Sequence, residues 1–300
     1  MHPRSSNPGP AAVAQPRPNL RESVPATVEI PVEVRGGIKG AHDRDRVAEE
    51  VPVAMVYNGI SHAVMMASPR DLEDLALGFS LSEAILDRAD QLFHLDVEIS
   101  EQGIRLEMHI AGECFARIKD RRRNMGGRTG CGLCGTESLA QAIRPVRRVP
   151  PQSIPTASAI ESALESLRRH QPIKAETGAT HGAAWCAMNG TVLLMREDVG
   201  RHNALDKLIG ARIMGAASKS LTSTFDEGFA LISSRASYEM VQKSALLGIG
   251  SLVAVSAPTA MAVRQAKLAQ MNLIGFARKG RHVIYAGSFR ESRQQLRAEQ

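Results

Sequence analysis

"FALISSRASYEMVQKSALLGIGSLVAVSAPTAMAVRQAKLAQMNLIGFA", residues 229–277, decides the fold. Three short apolar runs, FALISS, SLVAVS and NLIGFA, alternate with SYEMVQKSALLGI and TAMAVRQAKLAQ, whose apolar residues recur at helical spacing. Short runs that are apolar throughout and separated by helices predict strands covered on both faces of a largely parallel sheet. Downstream, HVIYAG adds a last strand. Upstream, RHNALDKLIGARIMGA reads as a helix, and GAAWCAMNGTVLLMRE as a hairpin with Asn189-Gly190 at its tip. TASAIESALESLRRH reads as the helix before that hairpin. Residues 151–290 are therefore expected to form an α/β domain with a mixed, mostly parallel sheet that opens on an antiparallel hairpin.

VRRVPPQSIP (146–155), with three prolines, is the expected linker. Before it, residues 26–125 read as a small α+β domain. TVEIPVEVR (27–35) alternates as a strand, and VPVAMVYNGISHAVMMAS (51–68) as a hairpin turning at Asn58-Gly59. Ser68 is expected to cap a helix with Pro69 at its first position, running to Leu86. FHLDVEIS and GIRLEMHI make a second strand pair around Glu101 to Gly103. Met55, Met65 and Met66 are expected in the core. Residues 1–25, rich in proline and without an apolar signal core, read as a disordered leader, and 291–300 as a polar tail.

The formal charge of +6 is concentrated in one place. Between Arg117 and Arg148 nine Lys/Arg face only Asp120 and Glu137, a local field that favours an anionic ligand. Nucleic acid is not expected, because no aromatic residue between Phe115 and Trp185 offers a base-stacking platform. Four cysteines are too few for a disulfide scaffold, and no apolar run reaches membrane-spanning length. A cytoplasmic protein without a membrane segment is the expectation.

Within the basic segment, residues 126–150, lies GRTGCGLCGTESL, which places Cys131 and Cys134 in a glycine-rich loop ahead of a short helix. A closed zinc site needs a second ligand pair, and none is present; a deaminase-type site needs His-x-Glu, also absent. No zinc is expected. A thioredoxin-like pair would begin a helix directly after a strand, a context this loop lacks. Nucleophilic sulfur chemistry suits the setting better. Arg121, Arg122, Arg123, Arg128 and a downstream helix N-terminus favour the thiolate, and the glycines leave it reachable. A second thiol can relay the sulfur or release it as sulfide by forming a disulfide. Cys114, in a helical stretch, reads as a buried small hydrophobe.

Other polar groups fall where α/β sheets hold ligands, at strand-to-helix junctions. ETGATHGAA places Thr180 and His181 before a strand, as phosphate donors or as ordinary loop residues. REDVGRHN gathers Asp198, Arg201 and His202 between a strand and a helix. A guanine- or phosphate-binding role is expected there, with Asp198 accepting the guanine ring N–H and amino group; a structural ion-pair network is the competing reading. Arg235, in SSRASYEM, is an expected pyrophosphate clamp, and Arg278 and Arg281 follow the same logic.

GRTGCGLCG, ETGATHGAAWC, REDVGRHNALDKLIG, SSRASYEMVQKSALLGI and SAPTAMAVRQA together resemble the FdhD/NarQ family of sulfur carriers required for formate dehydrogenase activity. The resemblance spans about residues 27–290 and differs from the family pattern at Ala179 and Gly182. It implies a cytidine deaminase-like three-layer α/β/α fold for the C-terminal domain. It also implies a sulfurtransferase that takes persulfide sulfur from a cysteine desulfurase and passes it to a molybdenum (or tungsten) bis-guanine-dinucleotide cofactor destined for the formate dehydrogenase catalytic subunit. Cys131 matches the persulfide carrier and Cys134 the second thiol. The stretch Phe276, Ala277, Arg278, Lys279, Gly280, Arg281 matches a cofactor-binding segment. A non-covalent cofactor chaperone is the alternative, and a homodimer is expected from the prevalence of two-fold assemblies.

Overall fold

The computed structural model of the protein describes residues 24–35, 42–124, 146–216 and 224–287. All but the last two residues of the expected leader, the tail, and residues 125–145, which carry Cys131 and Cys134, lie outside the described residues.

The front half holds two sheets, one antiparallel and one mixed. β1 (Thr27–Glu33) pairs along its whole length with β2 (His42–Ala48), a strand its charged sequence HDRDRVA does not announce. β3 (Val51–Tyr57) and β4 (Ile60–Ala67) form the expected hairpin, with Asn58 at φ 47° and Gly59 at φ 79° in the two-residue turn. β5 (Leu92–Ser100) and β6 (Gly103–Ile110) complete a four-stranded sheet of order β4-β3-β6-β5, in which β3 and β6 run parallel. α1 (Leu72–Ser82) lies on one face of this sheet; its Leu75 and Leu81 share an apolar cluster with Met55, Leu106 and Met108. α2 (Gly112–Asn124) follows and buries Cys114 and Ile118.

Three local expectations are corrected here. Met66 is 47% exposed, because strand alternation turns it away from the face that takes Met65 into the core. Ser68 does not cap α1; the residue before the helix is Asp71 at φ 51°, without a side-chain cap. The helix also stops at Ser82 rather than Leu86. Ala84 adopts φ 52°, and the Ile85 and Leu86 N–H groups turn back to the Ser80 carbonyl (2.9 and 3.0 Å), burying both side chains.

The back half begins with α3 (Ala157–Arg169), capped by the Thr156 hydroxyl accepting from Ala159 N–H at 3.2 Å. α4 (Pro172–Thr177), β7 (His181–Ala187), β8 (Val192–Asp198), α5 (Arg201–Met214), β9 (Gly228–Ile232), α6 (Tyr238–Leu246), β10 (Ser251–Ala254), α7 (Ala260–Ala269), β11 (Asn272–Arg278) and β12 (Arg281–Ala286) follow. The six-stranded sheet has the order β12-β11-β10-β9-β7-β8. β8, β9, β10 and β11 share one direction, and β7 and β12 run against them.

Alternate residues of these strands feed two cores. Ala184, Cys186, Phe229, Leu231 and Val253 pack under α3, whereas Ala183, Trp185, Ala230, Ile232 and Leu252 face the cluster containing Leu205, Met240 and Ala266 of α5, α6 and α7. This is the α/β/α layering expected. The second cluster continues into Leu75 and Leu81 of α1, so the two halves share a core. The proline-rich segment between them is docked: Val149 N–H donates to the Ala269 carbonyl (2.9 Å), and Asn272 Nδ2 donates to the Gln152 carbonyl (3.0 Å).

Candidate functional site at the carboxyl edge of the sheet

β8, β9, β10 and β11 end at one edge of the six-stranded sheet, and β7 begins there. Hydrogen bonds tie the junctions into a row. Ser233 N–H donates to the Gly182 carbonyl and Gly182 N–H to Ser233 Oγ, both at 2.9 Å. Ser256 N–H reaches the Ser234 carbonyl (3.4 Å), and Phe276 N–H the Ser256 carbonyl (3.1 Å). The edge therefore collects His181, Asp198, Arg201, His202, Arg235 and Phe276, from four elements and the β9–α6 junction.

Asp198 has a different job from the one its position suggests. It is fully buried, and both its oxygens are in use. Oδ2 accepts from Ser68 N–H (3.1 Å) and pairs with Lys207 Nζ (2.5 Å), while Oδ1 accepts from Gly200 N–H (2.8 Å) and Asn203 Nδ2 (3.0 Å). A carboxylate offers about four acceptor positions, so none is left for a guanine edge. The structural ion-pair reading of Asp198 is the one the geometry supports. Ser68 does not stand out locally, since it lies 130 residues from Asp198 and 139 from Lys207.

Thr180 is similarly engaged. It is 3% exposed, and its hydroxyl donates to Glu197 Oε1 at 2.8 Å. The Glu197 carboxylate also accepts from Ile173 and Lys174 N–H (both 3.0 Å), capping α4 from a neighbouring strand.

The titratable side chains that remain in that set are basic or imidazole. His181 is half-buried; burial, followed by the nearby Lys174 and Arg201 charges, holds its pKa below the ordinary histidine value. His202 is shifted the same way by burial, then Arg201 and Lys243, with Glu239 opposing. Its Nε2 stands 3.7 Å from Glu239 Oε2, a carboxylate oxygen that also accepts from the Ser237 hydroxyl at 2.8 Å. Arg201 Nε and His202 Nε2 are buried atoms without a hydrogen-bond partner. Buried polar atoms of this kind take their missing partner from water, an ion or a ligand. The structure thus brings together Arg201, His202 and His181, and adds Lys174, which the sequence reading missed.

Arg235 is exposed at the β9–α6 junction of the same edge. Phe276 is half-buried at φ 51°, and Ala277 is buried in the apolar core with its side chain unavailable to a ligand. Arg278, Lys279, Gly280 and Arg281 form the exposed β11–β12 turn, where Gly280 N–H donates to Glu161 Oε1 at 2.6 Å. With β9 and β10 between them, β7 and β11 lie about 14 Å apart at ordinary strand spacing, a span that calls for an extended ligand.

Cys131 and Cys134 lie outside the described residues. The other two cysteines are fully buried. Burial raises the Cys114 thiol, with Arg117 opposing, and pushes Cys186 up to about 12. Neither is a reactive sulfur. Among the described residues, no three His, Cys, Asp or Glu side chains gather to hold a metal ion, and no helix is long and apolar enough to cross a membrane.

Comparison with known proteins agrees with this architecture. The sequence profile of the FdhD/NarQ family matches residues 48–292. The chain is 54% identical over 242 residues to the sulfur carrier protein FdhD of Cupriavidus necator, covering 81% of this chain and 82% of that protein. It is 48% identical over 272 residues to the sulfur carrier protein FdhD of Bordetella petrii, covering 90% and 95%. A crystal structure of a candidate formate dehydrogenase accessory protein from Desulfotalea psychrophila superposes with a TM-score of 0.64 at 21% identity, over 88% of this chain and 98% of that one, a likeness of fold. A match over most of the chain, at this level of identity, places the protein in the FdhD/NarQ family.

Proposed function

We propose that this protein is a sulfur carrier for formate dehydrogenase that works through a cysteine persulfide on Cys131. The Cys131 thiolate attacks the outer sulfur of a persulfide on a cysteine desulfurase. The donor's cysteine leaves as thiolate, and Cys131 keeps the sulfur. Delivery goes to a molybdenum cofactor bearing guanine dinucleotides, bound as substrate before it enters the formate dehydrogenase catalytic subunit. Cys134 serves as second thiol: its attack on the inner sulfur releases sulfide and leaves a Cys131–Cys134 disulfide. The protein works in the cytoplasm as a homodimer.

The observation that carries this reading is the burial of Cys114 and Cys186, whose raised pKa values leave Cys131 and Cys134 as the thiols able to ionise. The names of the relatives support it independently. On the acceptor side, the orphaned Arg201 and His202 nitrogens, with Lys174 and Arg235 near the same edge, suit a phosphate-bearing ligand. Arg278 and Arg281 extend that surface toward a second phosphate or guanine.

The test is complementation. In a bacterial host lacking its own sulfur carrier, the wild-type chain, Cys114→Ala and Cys186→Ala should restore formate dehydrogenase activity, and Cys131→Ala should not. Full restoration by Cys131→Ala would sink the proposal.

A further inference from the structure

We propose that Ser68 and Lys207 are positioning residues, which hold the turn presenting Arg201 and His202 at the ligand edge; the role rests on the reading of that edge as an anion site.

The geometry is a closed cage. Ser68, itself fully buried, bonds the segment 198–207 through its N–H, hydroxyl and carbonyl, the carbonyl also accepting from Arg70 N–H at 2.8 Å. Its N–H donates to Asp198 Oδ2 (3.1 Å), its Oγ accepts from Val199 N–H (3.1 Å), and its carbonyl accepts from Lys207 Nζ (2.9 Å). Asn203 Nδ2 closes the other side, bonding both the Met66 carbonyl (2.8 Å) and Asp198 Oδ1 (3.0 Å). The end of β4 is thus joined to the β8–α5 turn and α5 by four bonds through side chains, while the Asn203–Asp198 bond and the Lys207–Asp198 ion pair brace that segment from within.

What the cage fixes is the start of α5. Gly200, the residue before the helix, donates to Asp198 Oδ1 at 2.8 Å, and a methyl group placed on it would sit 2.9 Å from Asn203 Nδ2. Arg201 and His202, the next two residues, follow directly on that tied turn. An ion pair in so dry a place adds little net stability over an apolar pair of the same shape, because desolvation offsets the attraction. Its use is to enforce one arrangement. Here that arrangement places a guanidinium and an imidazole at the start of α5, beside the sheet edge, with Arg201 Nε and His202 Nε2 buried.

The experiment compares wild type, Ser68→Ala and Lys207→Met by titration with guanosine diphosphate, by amide hydrogen exchange over residues 199–202, and by sulfur loading from a cysteine desulfurase. Both variants should bind guanosine diphosphate about tenfold more weakly, as expected when a buried bond is left half-made, and should exchange faster over that turn. Loading should stay at the wild-type level, because the cage does not include the thiols. Unchanged affinity and exchange, with only a lower melting temperature, would overturn the role. Ser68→Ala removes a single oxygen and carries the test if Lys207→Met fails to fold. Absence of guanosine diphosphate binding in the wild type would instead remove the reading of the edge, and exchange at Val199 to His202 would still decide the cage.

Discussion

Gly78 on α1 and Gly210 on α5 meet backbone against backbone: a methyl group on Gly78 would enter the Asp206 carbonyl, and one on Gly210 the Asp74 carbonyl. The two helices cross with no side chain between them at that point, and this is how the two halves come to share one core. Gly78→Ala and Gly210→Ala should each destabilise the protein by about 3 kcal/mol, the cost of forcing atoms into a packed contact. Urea unfolding midpoints measure it; a change below about 0.5 kcal/mol would mean the helices can part freely.

Beside that crossing, Asp206 and Lys243 form a second buried pair at 2.8 Å, with Ser82 Oγ donating to Asp206 (2.6 Å) and Glu83 3.0 Å from the ammonium. Burial raises the Asp206 pKa against the pull of Lys243; burial would lower that of Lys243, but Asp206 and Glu83 outweigh it and move it up. Lys243→Met alone should cost about 4 kcal/mol, because it strands a buried carboxylate. Adding Asp206→Asn should recover a large part of the loss. Equal destabilisation by the single and double variants would contradict the pairing.

The imidazoles give stability a pH dependence of known sign. His181 and His202 both titrate below their ordinary value of 6.5 in the folded protein. The unfolded chain takes up protons first as pH falls through that value, so folding is disfavoured on the acid side. The melting temperature should fall between pH 7.5 and pH 5.5, and His181→Gln with His202→Gln should flatten that slope. A slope unaffected by the two substitutions would place the effect elsewhere.

Cys186, packed between Ala184 and Phe229 in the apolar layer under α3, should tolerate alanine far better than serine. Serine would bury a hydroxyl without a partner, at about 2 kcal/mol. Both variants should load sulfur as the wild type does, as read by mass. Loss of loading in Cys186→Ala would make that sulfur part of the chemistry.

The fold was legible wherever local pattern and tertiary environment agree. Asn58-Gly59 marks its turn because those residues accept positive φ, and the apolar runs from Phe229 to Ala277 announce strands covered on both faces. Elements held by distant partners were not legible. β2 is a run of charges stabilised by pairing with β1, as in Arg44 to Glu29 at 2.8 Å. α4 is a six-residue helix capped by Glu197 from another element. At the site, the position of Asp198 at a strand end suggested a ligand contact, but Gly200, Asn203, Lys207 and the distant Ser68 together fill its oxygens, and no local spacing announces Ser68. Arg201 and His202 are picked out by the same positional rule, and the structure places both half-buried at the start of α5.

The central claim, that Cys131 carries the sulfur, is tested most directly by the intact mass of the protein after incubation with cysteine and a cysteine desulfurase. The account predicts the gain of one sulfur atom, removable by a thiol reductant, in wild type, Cys114→Ala and Cys186→Ala, and no gain in Cys131→Ala. A Cys131→Ala protein that still gains the sulfur would contradict it.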